Sequence, residues 1–187
     1  MISWNDRHML IGAPKDFAIE VMVEPDHTAP SAVRGRMCVH VAEYTLGDFD
    51  NPYCGLGPAY RAFKRHTKNR DRLWDTTFDE MKPEEIRDTV HDALYRDDDR
   101  TMDQIKRRFD FLTNWGEQFD GYSSVIVSPT PDTKMILHRP HAAPDYLCRF
   151  PNLVVACCSR SGFLNASEGF VDWFERESKR LQRTERA

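Results

Sequence analysis

The clearest pattern in the chain is an alternation of apolar and polar positions between Leu10 and Glu24. Gly12 and Pro14 lie at the start of this segment, and an alternating run follows them. The apolar positions of the run are Phe17, Ile19, Val21 and Val23. We therefore expect a tight turn directly before a strand that has one buried face and one partly solvated face.

A second alternating segment, Arg36 to Thr45, predicts a strand that pairs antiparallel with the first. The intervening residues, from Pro25 to Arg36, are rich in turn-forming residues and predict a loop. From Leu46 to Pro58 the chain carries so many Gly, Pro, Asn and Asp residues that no regular structure is expected before Ala59.

Helical spacing of apolar residues appears in the middle of the chain. Ile86, Val90 and Leu94 form one stripe, and Pro83 is well placed in the first turn of that helix. A second stripe consists of Met102, Ile105, Phe109 and Leu112. These stripes predict a helical insertion between about residues 79 and 112.

The last third of the chain predicts a hairpin, a buried strand and a closing helix. Tyr122 to Ser128 and Lys134 to Arg139 flank a proline-containing turn, which is typical of a hairpin. The short apolar run Leu153 to Cys158 favours a fully buried strand. The closing helix is expected to start near Ser167, a residue suited to the N-cap.

Together these elements predict an α+β fold. We expect a single antiparallel or mixed sheet of about five strands, a central helical insertion and a C-terminal helix packed on the sheet. The length of 187 residues suits one domain that spans residues 1–187.

The composition indicates a globular protein of the cytoplasm. Hydrophobic residues make up 40% of the chain and charged residues 30%, which excludes a disordered chain and a membrane protein. The N-terminal residues have no apolar core of a secretory signal. The five cysteines are odd in number and lack C-x-x-C spacing, so we expect reduced thiols, with Cys157 and Cys158 buried.

Residues that could carry catalysis are few and poorly placed. Cys54 lies in a loop that we expect to be exposed, and His138 and His141 are separated by Pro140, which breaks a helix. The segment Ser159 to Gly162 is best explained as a plain turn before the last helix, with an anion-binding turn as the alternative. We expect no catalytic residue, no bound metal and no cofactor.

A strongly basic stretch runs from Arg61 to Arg72, close to the aromatic residues Tyr60, Phe63 and Trp74. Clustered cations and aromatic rings are what single-stranded nucleic acids bind. The alternative is a solvated helix face with Phe63 buried. The net charge of −4 disfavours nucleic acid and an anionic membrane as partners.

Acidic residues with aromatic neighbours occupy two predicted loops. Such loops suit a basic protein surface, because complementary charge speeds association and aromatic side chains anchor the complex. The alternative is that these are ordinary loop carboxylates that aid solubility. The predicted partner-binding residues are Asp48, Phe49, Asp50 and Tyr53 in one loop and Asp97, Asp98 and Asp99 in the other.

The order of these segments resembles the bacterial immunity protein 42 family, which is encoded beside polymorphic or contact-dependent toxins. The segments that carry the resemblance are Ile11 to Glu24, Arg36 to Tyr44, Ile86 to Tyr95, Tyr122 to Ser128, Lys134 to Arg139 and Ala166 to Glu177. The resemblance implies a non-enzymatic inhibitor that binds the C-terminal domain of one cognate toxin in the cytoplasm. If that toxin is a nuclease, the acidic loops would occupy its basic groove in place of phosphates.

Two other functions stay open at the level of sequence. A regulatory nucleic-acid-binding protein would rely on Arg61 to Arg72, and a small enzyme would rely on Cys54 or on His138 with His141.

Overall fold

Nine strands and three α-helices are present in the part of the chain that this computed structural model describes, residues 8–24, 33–52, 54–95, 107–113, 115–140 and 153–184. The strands are β1 (His8–Ala13), β2 (Phe17–Val23), β3 (Arg34–Val41), β4 (Tyr44–Leu46), β5 (Cys54–Gly55), β6 (Asp110–Phe111), β7 (Tyr122–Thr130), β8 (Thr133–Pro140) and β9 (Val154–Ser159). The helices are α1 (Gly57–Lys68), α2 (Pro83–Tyr95) and α3 (Arg160–Thr184).

The first sheet has the strand order β1-β2-β3-β4, and β5 pairs with the far end of β3. The predicted antiparallel pairing of β2 with β3 is confirmed, with Ile19 opposite Val39. The expected turn before β2 is also present, but it closes a hairpin with β1, which the sequence analysis did not predict. The predicted second strand ends early, because Ala42 adopts a φ of 53° and turns the chain into β4.

The second sheet has the order β6-β7-β8-β9 and is antiparallel throughout. The predicted hairpin is confirmed as β7 and β8. The expectation that β9 is fully buried was wrong, since Val155 and Cys157 are exposed while Ala156 and Cys158 are buried. Only one face of β9 is covered, so its side chains alternate between core and solvent.

The α+β class and the C-terminal helix are confirmed, while the strands divide between two antiparallel sheets instead of gathering in one. Helix α3 packs against β1, β2 and α1. Strand β2 is more buried than expected, because Ala18 and Met22 on its second face are also buried and only Glu20 there is partly exposed. The simple division into a dry and a wet side therefore does not hold for this strand.

Helix α2 matches its prediction. Pro83 lies in its first turn, and the Glu85 carboxylate accepts a hydrogen bond from the Lys82 backbone N–H at 2.7 Å, which satisfies a donor that the helix itself leaves free. The described part of the second predicted helix is not an α-helix. Arg107–Phe109 is a short 3₁₀ turn, and β6 follows it. Residues 101–106 of that prediction lie outside the described residues.

Helix α3 begins seven positions earlier than expected, because Ser159 is its N-cap. The Ser159 hydroxyl oxygen accepts a hydrogen bond from the Gly162 backbone N–H at 2.9 Å. Ser167 lies inside the helix and donates its hydroxyl to the Phe163 carbonyl oxygen at 2.6 Å. The segment Ser159 to Gly162 is therefore the start of a helix, neither the plain turn nor the anion-binding turn of the sequence analysis.

Phe63 of α1 lies at the centre of the core. The centroid of its ring lies within 6.4 Å of the centroids of five other aromatic rings, those of Phe17, Phe111, Trp115, Phe163 and Phe170. These rings come from both sheets, the loop after β6 and α3. One buried side chain therefore joins most layers of the fold, and it fixes α1 as a packed helix.

Candidate functional site

The loop that carries Asp48 and Asp50 has a fixed backbone. The backbone N–H of Asp48 donates to the Gln118 carbonyl oxygen at 2.9 Å, and the N–H of Asp50 donates to Asp48 Oδ1 at 3.0 Å. Gly47 precedes them with a φ of 102°, and a Cβ there would lie 2.6 Å from the Phe119 ring. Only glycine suits that position, so the loop is held against the 3₁₀ turn Glu117–Phe119.

Four exposed carboxylates lie on the two segments that this contact joins, and we name them the acidic patch: Asp48, Asp50, Glu117 and Asp120. Their proximity affects the thiol beneath them. Burial raises the pKa of Cys54 most, a hydrogen bond with the Gln118 backbone lowers it, and the charges of Glu117, Asp48 and Asp120 raise it further. Asp48 and Asp50 lie in the loop that the sequence predicts to be exposed and acidic, whereas no local pattern places Glu117 and Asp120 beside it.

Phe49 lies between the two predicted aspartates and is half buried. Its ring packs on the ring of His8, with 5.5 Å between centroids. Arg36 lies beside this loop, where it donates to the Asp50 carbonyl oxygen at 3.4 Å and to Glu24 Oε1 at 2.7 Å. The loop of the acidic patch therefore adjoins the face of the first sheet that carries His8.

The other predicted partner-binding residues cannot be placed. Tyr53, Asp97, Asp98 and Asp99 lie outside the described residues.

That face of the first sheet also holds a polar network, which we name the outer-face network. Glu20 of β2 contacts His8 of β1 through Oε1 at 2.7 Å and His40 of β3 through Oε2 at 2.8 Å. His40 Nδ1 lies 3.0 Å from Thr45 Oγ1. Burial raises the pKa of Glu20, but hydrogen bonds from His40 and His8 outweigh it, so the pKa is lowered and the carboxylate is favoured.

Cys38 lies next to this network and is buried. Burial first, and the charge of Glu20 second, raise the pKa of its thiol to about 12. Its Sγ lies 3.6 Å from Glu20 Oε2 and donates to it. In the absence of a cation the sulfur therefore stays protonated and is no nucleophile.

The residues considered for a small enzyme do not form a catalytic group where the structure describes them. Cys54 is 1% exposed, so the expectation of an accessible thiol was wrong, and burial there raises its pKa. Cys157, expected to be buried, is instead exposed. His138 is buried within β8, where burial lowers its pKa to about 4, and His141 lies outside the described residues.

The basic stretch is largely helix α1 and is partly engaged within the chain. Lys64 pairs with Glu175 at 3.1 Å, and Arg65 donates to the Asp110 carbonyl oxygen at 3.4 Å. His66 is fully buried. The described cations therefore do not form one uninterrupted row of free charges, and the case for nucleic acid is weaker than the sequence alone indicates.

A cleft of about 370 Å³ lies between the end of α1 and the β7–β8 hairpin, with Lys134 in its wall. The buried Lys134 ammonium donates to the Arg70 carbonyl oxygen at 2.9 Å and to the Ser128 hydroxyl. Burial, and next the charge of Arg160, lower the pKa of Lys134 to about 8. These bonds join β7 and β8 to the segment after α1, which gives this lysine a structural role.

Among the described residues no helix combines the length and the apolar character needed to cross a membrane. The fold is shared with a solved structure, that of CdiI from Burkholderia dolosa AUO158. The two superpose with a TM-score of 0.58 at 14% sequence identity, over 88% of this chain and 99% of that chain. No curated protein matches the sequence.

The class of protein follows from a match that covers most of the chain. The sequence model of a family described as immunity protein 42 matches residues 9–145. The chain belongs to the immunity protein 42 family, as the resemblance indicated, and its function is that of an immunity protein.

Proposed function

We propose that the protein binds the C-terminal domain of its cognate toxin directly, in the cytoplasm of the producing cell, and neutralises it without catalysis. Its family supports a toxin as the partner. The single structural observation that carries the proposal is the acidic patch, four exposed carboxylates from two distant segments on a fixed backbone.

The acidic patch suits a basic protein surface for two physical reasons. Its carboxylates are exposed, so they keep their hydration until a partner arrives and attract it over a distance of about 10 Å at moderate salt. Its backbone is held by the bond from Asp48 to Gln118, so little order has to be gained on binding. A nuclease, whose substrate groove is basic, is the class of toxin that this charge fits best.

Phe49 supplies an apolar contact within the same surface. Its ring is half buried against His8, and the neighbouring strand exposes Leu10, of which 50% is accessible. A partner that covers the acidic patch can therefore bury apolar area beside it, which slows dissociation. Tyr53 and the segment Asp97 to Asp99 stay predicted members of the interface.

The test uses the C-terminal domain of the cognate toxin as the partner, to be identified from the reading frame that neighbours the gene for this chain. Binding is measured for the unaltered chain and for a variant in which Asp48, Asp50, Glu117 and Asp120 all become amides. We expect association at least about tenfold slower for this variant, because the charges that steer the encounter are gone.

A matched control removes the same number of charges elsewhere. Glu80, Glu84, Glu168 and Asp172 are exposed carboxylates on or near α2 and α3, and their amide variant has the same net charge. This control should bind like the unaltered chain. Equal binding by both variants would overturn the assignment of the acidic patch, and the absence of any binding by the unaltered chain would overturn direct neutralisation.

A further inference from the structure

Three potential metal ligands meet on the outer face of the first sheet. Glu20 of β2 lies directly opposite Cys38 of β3, and His40 is two positions further along β3. All three side chains therefore project from the same face. Their ligand atoms, a carboxylate oxygen, a thiol sulfur and an imidazole nitrogen, lie within 4.8 Å of one another.

The distances between these atoms are close to those of a tetrahedral zinc site. Zinc bonds of about 2.3 Å to sulfur and about 2.0 Å to nitrogen or oxygen place neighbouring ligands roughly 3.3 to 3.6 Å apart. Cys38 Sγ lies 3.6 Å from both Glu20 Oε2 and His40 Nε2. Glu20 Oε2 and His40 Nε2 are 2.8 Å apart in a hydrogen bond, so they need to separate by only about half an ångström.

Two of the three residues, His40 and Glu20, make outer contacts of the kind that ligands in metal sites make. His40 Nδ1 lies 3.0 Å from the Thr45 hydroxyl, which holds the ring with Nε2 directed at Cys38 and Glu20. His8 holds the second oxygen of Glu20 at 2.7 Å. Such partners orient the ligands of metal centres and contribute to affinity.

We propose that Glu20, Cys38 and His40 bind a zinc ion through Oε2, Sγ and Nε2, with the fourth position open to water. The mixture of thiolate, imidazole and carboxylate selects zinc over magnesium or calcium, which prefer oxygen ligands alone. The site departs from the expectation of no bound metal. Zinc binding requires no toxin, so its test is independent of the proposed function.

The ligands lie on paired strands and need little rearrangement. Strand β2 is paired with β3 along its whole length, from Phe17 opposite Val41 to Val23 opposite Gly35. The sheet is therefore formed without the ion, and zinc adds stability by binding the folded state.

The test uses the full chain without a purification tag, since a polyhistidine tag would itself bind metal. Cobalt(II) is the probe, because it replaces zinc and shows an absorption band in the near ultraviolet when a thiolate binds it. We expect one cobalt ion per chain, a thiolate band, and loss of that band when zinc is added. A chromophoric chelator then gives the zinc affinity by competition.

Four variants separate this site from adventitious binding. Cys38→Ser should abolish the thiolate band, and His40→Gln should weaken zinc binding at least about 100-fold. Thr45→Val, which removes only an outer contact, should weaken it about tenfold. Cys157→Ser removes an exposed thiol on β9 and should leave both the band and the affinity unchanged.

The proposal is overturned if the unaltered chain gives no thiolate band with cobalt. It is equally overturned if the band survives in Cys38→Ser or disappears in Cys157→Ser. Circular dichroism of each metal-free variant checks the fold. If Cys38→Ser does not fold, the zinc affinity of His40→Gln tests the site independently.

Discussion

Asp16 and Ser159 are joined by two hydrogen bonds, although 143 positions separate them in the sequence. The backbone N–H of Ser159 donates to Asp16 Oδ1 at 2.6 Å, and its hydroxyl donates to Asp16 Oδ2 at 2.5 Å. Asp16 lies in the turn between β1 and β2, and Ser159 caps α3. One carboxylate therefore connects the turn of the first sheet to the start of the long helix.

Replacing Asp16 by alanine should lower the free energy of unfolding by roughly 1 to 3 kcal/mol, because it removes both bonds and leaves a partly buried N–H without its acceptor. Urea denaturation measures the change. Lys15→Ala, at an exposed position of the same turn, is the control and should change stability by less than about 0.5 kcal/mol. Equal effects of the two variants would contradict the role of the carboxylate.

Gly162→Ala should destabilise the protein even though alanine is the better helix former. A Cβ at this position would lie 2.1 Å from Asp16 Oδ2 and 3.0 Å from Ser159 Oγ, so the two bonds would have to open. We expect a loss of roughly 1 to 3 kcal/mol in thermal or urea unfolding. Gly121→Ala is the control, since no atom beyond its two chain neighbours lies within 4 Å of its added Cβ. A stabilised Gly162→Ala would show that the contact is dispensable.

Acid should destabilise the fold through His66. Burial first, and the charge of Arg65 second, lower the pKa of His66 to about 3 from an unfolded value of 6.5. Between these values the unfolded chain binds a proton that the folded chain does not, so stability falls as the pH decreases from about 6.5 towards about 3. The melting temperature measured across this range reports the slope.

The matching variant is His66→Gln, whose amide retains a donor for the Asp110 carbonyl oxygen but does not titrate. Its melting temperature should fall less steeply with acid than that of the unaltered chain. His138 contributes in the same direction, since burial lowers its pKa to about 4, so some slope should remain. Identical slopes would contradict the assignment to His66.

Binding of the toxin domain should depend on salt through the acidic patch. Raising the ionic strength shortens the range of the electrostatic attraction, so association with the unaltered chain should slow. The amide variant of Asp48, Asp50, Glu117 and Asp120 should show a much flatter dependence. Stopped-flow association rates at several salt concentrations measure both slopes, and parallel slopes would place the steering charges elsewhere.

The elements that could be predicted are those in which the local hydrophobic pattern matches the packing in the fold. The alternation in β2 and β3, the hairpin of β7 and β8 and the apolar stripe of α2 are all confirmed. The start of α3 was missed because it depends on Asp16, which is distant in sequence and pairs with Ser159. Strand β1 was not predicted, because Gly12 and Pro14 indicate a turn and the pairing of β1 depends on β2.

The candidate sites were harder to predict for the same reason. The sequence shows Asp48 and Asp50 as an acidic loop. Their position beside the segment of Glu117 and Asp120 depends on one backbone hydrogen bond, from Asp48 to Gln118. Similarly, Glu20 and Cys38 have no metal-binding spacing in the chain. They become neighbours only through the register of two strands.

The packing of Gly47 against Phe119 has a consequence for how such a protein can diverge. The backbone of the acidic patch is fixed by glycine and by main-chain hydrogen bonds, while its four carboxylates make few demands on the core. Exchanging those side chains alters the charge that a partner meets and leaves the scaffold intact. If partners bind at the acidic patch as proposed, a few surface substitutions there would change specificity without an unstable ancestor.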